Sequence, residues 1–135
     1  IVSPDFQIST ADVYRRLDAR RDGQSPAMPW LEPATDSRSF MQRLYNDLEP
    51  AAFSLEPRLG ALHHRLDGFQ GRAVRMSGSG SASFALYASE AERDRDLPRV
   101  RDEMSDLAGA RLWRFECVGH GVRPVHPRHS TLAAG

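Results

Sequence analysis

Arg75-Met76-Ser77-Gly78-Ser79-Gly80-Ser81-Ala82-Ser83-Phe84-Ala85-Leu86-Tyr87 is the stretch on which the fold turns. On its incoming side Val74 and Met76 alternate with Arg75 and Ser77. On its outgoing side Ala82, Phe84, Leu86 and Ala88 alternate with Ser83, Ala85 and Tyr87. Period-two alternation predicts two half-buried strands. Gly78-Ser79-Gly80-Ser81 joins them as an antiparallel hairpin, because glycine takes positive φ without steric cost. Such a turn fits two roles. It can be a plain reversal, or its successive N–H groups can converge as an anion-binding nest that small side chains leave open to a phosphate.

Downstream, Ser89-Glu90-Ala91-Glu92 has the form of a capping box. The helix it opens carries Leu97, Val100, Met104 and Leu107 on one face, and either kinks or restarts at Pro98. Gly109 is expected to end it, and Trp113, Phe115 and Cys117, alternating with Arg114 and Glu116, read as the last strand with Cys117 buried. Upstream, Leu55, Leu59, Leu62 and Leu66 form a helical stripe ending near Gly68. Phe40, Met41, Leu44, Tyr45 and Leu48 form another, starting at Asp36. Asp22 to Thr35, with Pro26, Pro29 and Pro33, reads as a surface loop in which Trp30 either anchors to the body or meets a ligand or partner. Ser9-Thr10-Ala11-Asp12 opens a first helix through Val13, Tyr14 and Leu17. Thr10 is either an ordinary cap or a hydroxyl placed near an anionic ligand. Val2, Phe6 and Ile8, interrupted by Pro4, suggest an edge strand or an extended entry segment.

These segments come out as strand, three helices, hairpin, helix and strand. The expected class is α+β: a ferredoxin-like sandwich with a four-stranded antiparallel sheet and helices on one face, in a single domain over residues 1–135.

Composition narrows the function. Eighteen basic and eighteen acidic residues give zero formal charge, so no electrostatic footprint argues for nucleic acid or an anionic membrane. No apolar run approaches the ~20 residues of a transmembrane helix. The single cysteine allows no internal disulfide and fits a reducing compartment. Every basic residue is arginine, so no lysine here clamps a phosphate or forms a Schiff base. His63 and His64 are neighbours pointing about 100° apart and cannot share one metal. His120, His126 and His129 match no ligand spacing, and their tail reads as irregular, so no metal site is expected. A chain opening on Ile1 rather than methionine reads as a piece of a longer product.

Three stretches carry a family resemblance. Arg75 to Ala85 resembles the third, glycine-rich motif of the GHMP small-molecule kinases, in the wording of the 4-diphosphocytidyl-2-C-methyl-D-erythritol kinase branch. Val2-x-x-Pro4 followed by Ser9-Thr10-Ala11-x-Val13-Tyr14 is similar to the start of the C-terminal domain in bacterial members. Asn46-Asp47-Leu48-Glu49 matches that branch within the superfamily. The likeness runs from about Val2 to Val125 and covers only the second half of such an enzyme. It implies transfer of the ATP γ-phosphoryl group, with Mg²⁺, to the 2-hydroxyl of 4-diphosphocytidyl-2-C-methyl-D-erythritol, a step of the non-mevalonate route to isoprenoid precursors in the bacterial cytoplasm. Gly78, Ser79, Gly80 and Ser81 would form the phosphate-proximal loop. Thr10, and more loosely Ser9, would lie by the substrate. Asp47 and Glu49 would take packing or hydrogen-bonding roles, because the family's catalytic acid lies in its N-terminal domain.

That domain, with the ATP loop and a lysine near the acceptor hydroxyl, would be the partner in cis. The chain alone is then expected to fold without catalysing and to hold no cofactor tightly. Its uncovered cleft face would offer a route to self-association. The alternatives are another GHMP kinase of the homoserine or mevalonate type, or a non-catalytic ferredoxin-like module that binds a ligand or partner.

Overall fold

The computed structural model describes residues 1–20, 36–67 and 73–117. The Pro-rich loop with Trp30, the helix stop at Gly68 and the histidine tail lie outside the described residues. The elements run β1 (Val2–Ser3), α1 (Thr10–Arg20), α2 (Ser37–Arg43), α3 (Glu49–Leu55), α4 (Pro57–Leu66), β2 (Arg75–Met76), β3 (Ser83–Phe84), α5 (Glu90–Glu103) and β4 (Arg111–Leu112). The sheet is four-stranded and antiparallel, in the order β2-β3-β1-β4. The α+β expectation holds.

Four helices precede the hairpin where the periodicity predicts three. The Phe40–Leu48 stripe breaks at Leu44, whose ψ of 137° is extended. The segment that follows runs as a turn into α3. The second break is at Glu56, with φ −131° and ψ 86°. Pro57 excludes the helical region for the residue before it and then starts α4, where its missing N–H costs nothing. Leu55 therefore belongs to α3 and is exposed, while Leu59, Leu62 and Leu66 are buried as the stripe predicts. Pro98 neither breaks α5 nor restarts it, and the helix ends at Glu103, short of Gly109. Ser89 caps α5, its side chain accepting from Glu92 N–H as its motif predicts.

Two apolar clusters hold the helices to the sheet. Phe6, Val13, Leu48, Ala51, Ala52, Leu59 and Met76 pack beneath the hairpin turn. Val2, Leu62, Leu66, Val74 and Met104 pack α4 and the end of α5 against the strands. Full burial of a Leu or Met side chain contributes about 1.5–3 kcal/mol. Met76 pairs with Ser83, and residues opposite one another in an antiparallel pair share a face. Ser83 is accordingly buried beside Met76, and Phe84 faces the other way, only half-buried.

The last strand lies earlier than the alternation predicts. Leu112 pairs with Val2 and Arg111 with Ser3. Trp113 exchanges backbone bonds of 2.8 and 2.9 Å with Ile1. Phe115 is exposed at 63%, and Cys117 is exposed rather than buried.

Candidate functional site

The hairpin turn closes with Ser77 N–H donating to Ala82 O at 2.8 Å and Gly80 N–H donating to Ser77 O at 3.1 Å. Gly78 and Gly80 both take positive φ, +57° and +91°, a region where side chains cost energy. The two glycines differ in surroundings. A Cβ at Gly78 would meet nothing within 4 Å, whereas one at Gly80 would stand 2.9 Å from Met76 Sδ and 3.4 Å from Leu59 Cδ2. Gly80 is thus required by packing as well as by conformation. The Gly80 N–H is used inside the turn, so any donor role falls to the N–H groups of Gly78, Ser79 and Ser81.

Thr10 and the turn meet. Thr10 Oγ1 lies 2.8 Å from Ser79 Oγ, across 69 residues of sequence. The two hydroxyls of the α1 start divide their work. Ser9 is the cap, its Oγ accepting from Asp12 N–H at 3.3 Å. Thr10 is therefore released from capping and turned to the loop. Ser81 Oγ donates to Phe6 O at 2.8 Å, tying the other end of the turn to the segment before α1. Arg58 stacks 4.5 Å over the Phe6 ring, but its guanidinium is engaged by Glu56 at 2.7 and 2.8 Å. Of the six residues singled out in the sequence, the five of Thr10 and the turn come together, and Ser9 stands beside them with its hydroxyl occupied.

Periodicity gave no sign of the brace on the outer side of β2. Asn46 Nδ2 donates to Met76 O at 2.9 Å and to Gly78 O at 2.7 Å. Glu49 Oε1 accepts from Met76 N–H at 2.8 Å, and Arg75 Nε donates to Leu44 O. Burial raises the Glu49 carboxyl above its ordinary range, against the pull of the Met76 N–H and the Arg75 charge. The Asn-Asp-Leu-Glu wording was the available signal, though it named no target.

Behind β3, His63 Nε2 lies 2.9 Å from Ser83 Oγ, and both residues are buried. The ring also packs on Phe53, with centroids 4.9 Å apart. Burial lowers the His63 pKa, opposed by Asp67 and reinforced by Arg75. Among the described residues no three His, Cys, Asp or Glu side chains converge to hold a metal. An apolar cavity of about 630 Å³ opens between the far ends of β3 and β4 and α5, walled by Phe84, Leu86, Leu97, Val100, Leu112 and Phe115. Neither Thr10 nor the turn lines it. No helix of the described residues is long and apolar enough to cross a membrane.

Known proteins resemble this chain over most of its length. The chain is 32% identical over 106 residues to a 4-diphosphocytidyl-2-C-methyl-D-erythritol kinase of Mesorhizobium japonicum, covering 78% of this chain and 36% of that protein. It is 34% identical over 127 residues to the Granulibacter bethesdensis kinase of the same name, covering 90% and 38%. With the Caulobacter vibrioides kinase of that name it shares 38% over 100 residues, covering 70% and 34%. The chain thus spans little more than a third of the length of these curated relatives. No solved structure gives a significant match. The family model described as GHMP kinases C terminal matches residues 31–106, more than half of the chain, and takes in α2 to α5 with the hairpin between them. The chain belongs to the GHMP kinases C terminal family.

Proposed function

We propose that this chain is the C-terminal part of a kinase that moves the γ-phosphoryl group of ATP to the 2-hydroxyl of 4-diphosphocytidyl-2-C-methyl-D-erythritol. The observation that carries the reading is the 2.8 Å contact between Thr10 and Ser79. It joins at one point two stretches that resemble the family independently. In such a transfer the acceptor oxygen attacks the γ-phosphorus, the bond to the β-phosphate oxygen breaks, and ADP leaves. Catalysis then rests on positioning and on donors aimed at the developing phosphate charge. The Gly78–Ser81 turn offers such donors, and Thr10 offers a hydroxyl on the acceptor side. The proton of the acceptor must pass to a base, a task for which the Thr10 and turn hydroxyls are too weak. No described residue is assigned to Mg²⁺.

The N-terminal ATP-binding domain would cover the face that bears the turn. Tyr14, one helical turn from Thr10 on α1, stands exposed there. Without that domain the same face is the one through which copies would associate. The test is a coupled assay of ADP release with ATP, Mg²⁺ and the diphosphocytidyl substrate. The kinase that carries this domain should turn over only with that acceptor, and residues 1–135 alone should stay at background. Substrate-dependent turnover by the isolated chain, or a preference of the longer kinase for homoserine or mevalonate, would overturn the reading.

A further inference from the structure

We propose that Asn46 is a positioning residue that aims the Ser79 N–H, and that this is what Asn46 contributes to phosphoryl transfer. The proposal rests on the functional reading above. β2 is an outer strand of the sheet, and alternate residues of an outer strand turn their N–H and C=O groups away from the neighbouring strand. Ser77 faces β3, donating to Ala82 O. Met76 therefore faces outward, and an open edge of that kind calls for cover. The cover is the chain between α2 and α3. Glu49 takes the Met76 N–H at 2.8 Å, and Asn46 takes the Met76 carbonyl at 2.9 Å.

Asn46 then does something edge cover does not require. Its second amide hydrogen reaches past Ser77 to the Gly78 carbonyl at 2.7 Å. Its Oδ1 accepts from Leu48 N–H at 3.0 Å, so the amide has one orientation in which donors meet carbonyls and acceptor meets N–H. The consequence follows from peptide geometry. In a planar trans peptide the C=O and the next N–H point in opposite directions. The first carbonyl that Asn46 holds demonstrates it: Met76 O points to Asn46, and Ser77 N–H points the other way, to Ala82. Holding Gly78 O in the same manner turns the Ser79 N–H away from Asn46. Among the described residues no hydrogen bond claims that N–H. It remains a directed donor at the turn, beside the Ser79 hydroxyl that Thr10 holds.

The experiment has an arm on this chain and an arm on the kinase that carries it. In labelled residues 1–135, NMR should find the Asn46 side-chain amide exchanging at least about tenfold more slowly than a solvated amide. Asn46→Ala and the isosteric Asn46→Asp should both move the Gly78 carbonyl and Ser79 amide resonances. In the kinase, both variants should lower kcat by about 10²-fold with KM for both substrates within a few-fold. A packing role would instead let the isosteric aspartate keep kcat. An Asn46 amide exchanging at the free rate in the unsubstituted chain would overturn the proposal even if neither variant folds. Unmoved Gly78 and Ser79 resonances would overturn it and leave the kinase reading standing. Moved resonances with unchanged kcat would overturn it together with the role proposed for the turn.

Discussion

The hairpin turn and the cavity end of the sheet are held by different physics. At the turn, hydrogen bonds tie in three other stretches: Thr10 on Ser79, Phe6 O accepting from Ser81, and Asn46 on Met76 O and Gly78 O. At the other end, β3 and β4 run out along the walls of an apolar cavity of about 630 Å³, and Phe115 and Cys117 stand exposed. Hydrogen bonds are directional and fix atoms to tenths of an ångström, whereas apolar burial is non-directional and fixes only proximity. The turn is therefore built for geometry and the cavity end for adhesion. A change of side-chain volume should be costly at the first and tolerated at the second.

The largest expected effect tests that contrast directly. Gly80→Val places a branched side chain at φ +91°, against Met76 Sδ and Leu59 Cδ2. Backbone strain and overpacking together should cost about 3–5 kcal/mol. Leu97→Phe also enlarges a side chain, by less and into the cavity, and should change stability by no more than about 1 kcal/mol. Urea titrations of both variants measure the difference. Equal shifts would show that the two ends do not differ as argued. Gly80 is for the same reason a poor site for asking what the turn does. Gly78→Ala meets no neighbour within 4 Å and carries only the strain of φ +57°, about 1–2 kcal/mol.

The contrast also explains what could be read from the chain. The hairpin was legible because its signals, alternation and a Gly/Ser turn, are local. The helix count was not, because the three-and-four spacing of Phe40 to Leu48 continues across Leu44. What stops the helix there is distant: the Leu44 carbonyl is taken by Arg75, 31 residues away. Alternation likewise continues through Phe115 and Cys117, whereas among the described residues the backbone pairing of β4 extends as far as Trp113 on Ile1. At the site, residue type named Ser9 and Thr10 together, but only geometry separates the cap from the hydroxyl that faces the turn. Asn46 could be noticed from its wording, yet its role depends on knowing that β2 is an edge.

A middle-sized effect concerns the buried polar pair behind β3. Ser83→Ala leaves the His63 ring nitrogen without its partner at a site where Ser83 is 1% exposed and His63 6%, costing about 1–3 kcal/mol. Titration adds a pH signature. Burial lowers the folded His63 pKa below 6.5, so the unfolded chain binds the extra proton first. The stability His63 contributes is complete above about pH 6.5 and is lost as pH falls below it. Glu49 works in the opposite sense. Its folded pKa is raised above 4.5 by burial, so stability declines as pH rises from there through the folded pKa. Glu49→Gln, which keeps an acceptor for Met76 N–H, should remove that decline and equal or exceed the parent at pH 7. Denaturation midpoints between pH 4 and 8 separate the two. A Glu49→Gln variant with the parent's full pH slope would contradict the assignment.

The smallest effect on stability is the most informative about the turn. Thr10→Val keeps the branched shape and removes an exposed hydroxyl, so unfolding should shift by only about 0.5–1 kcal/mol. Ser79→Ala removes the other half of the same contact and should cost as little. The two differ in what they predict for the kinase. If Thr10 acts only by steadying Ser79, either variant should lower kcat alike, and the double variant should be no worse than each single one, because both abolish one interaction. If the Thr10 hydroxyl instead meets the acceptor itself, Thr10→Val should fall further than Ser79→Ala and raise the acceptor KM as well. Either pattern requires that the loss be seen well below the melting temperature, where both variants are folded. Turnover within a few-fold of the parent for both single variants would remove Thr10 and the turn from the site, and leave the 2.8 Å contact as a structural tie between α1 and the hairpin.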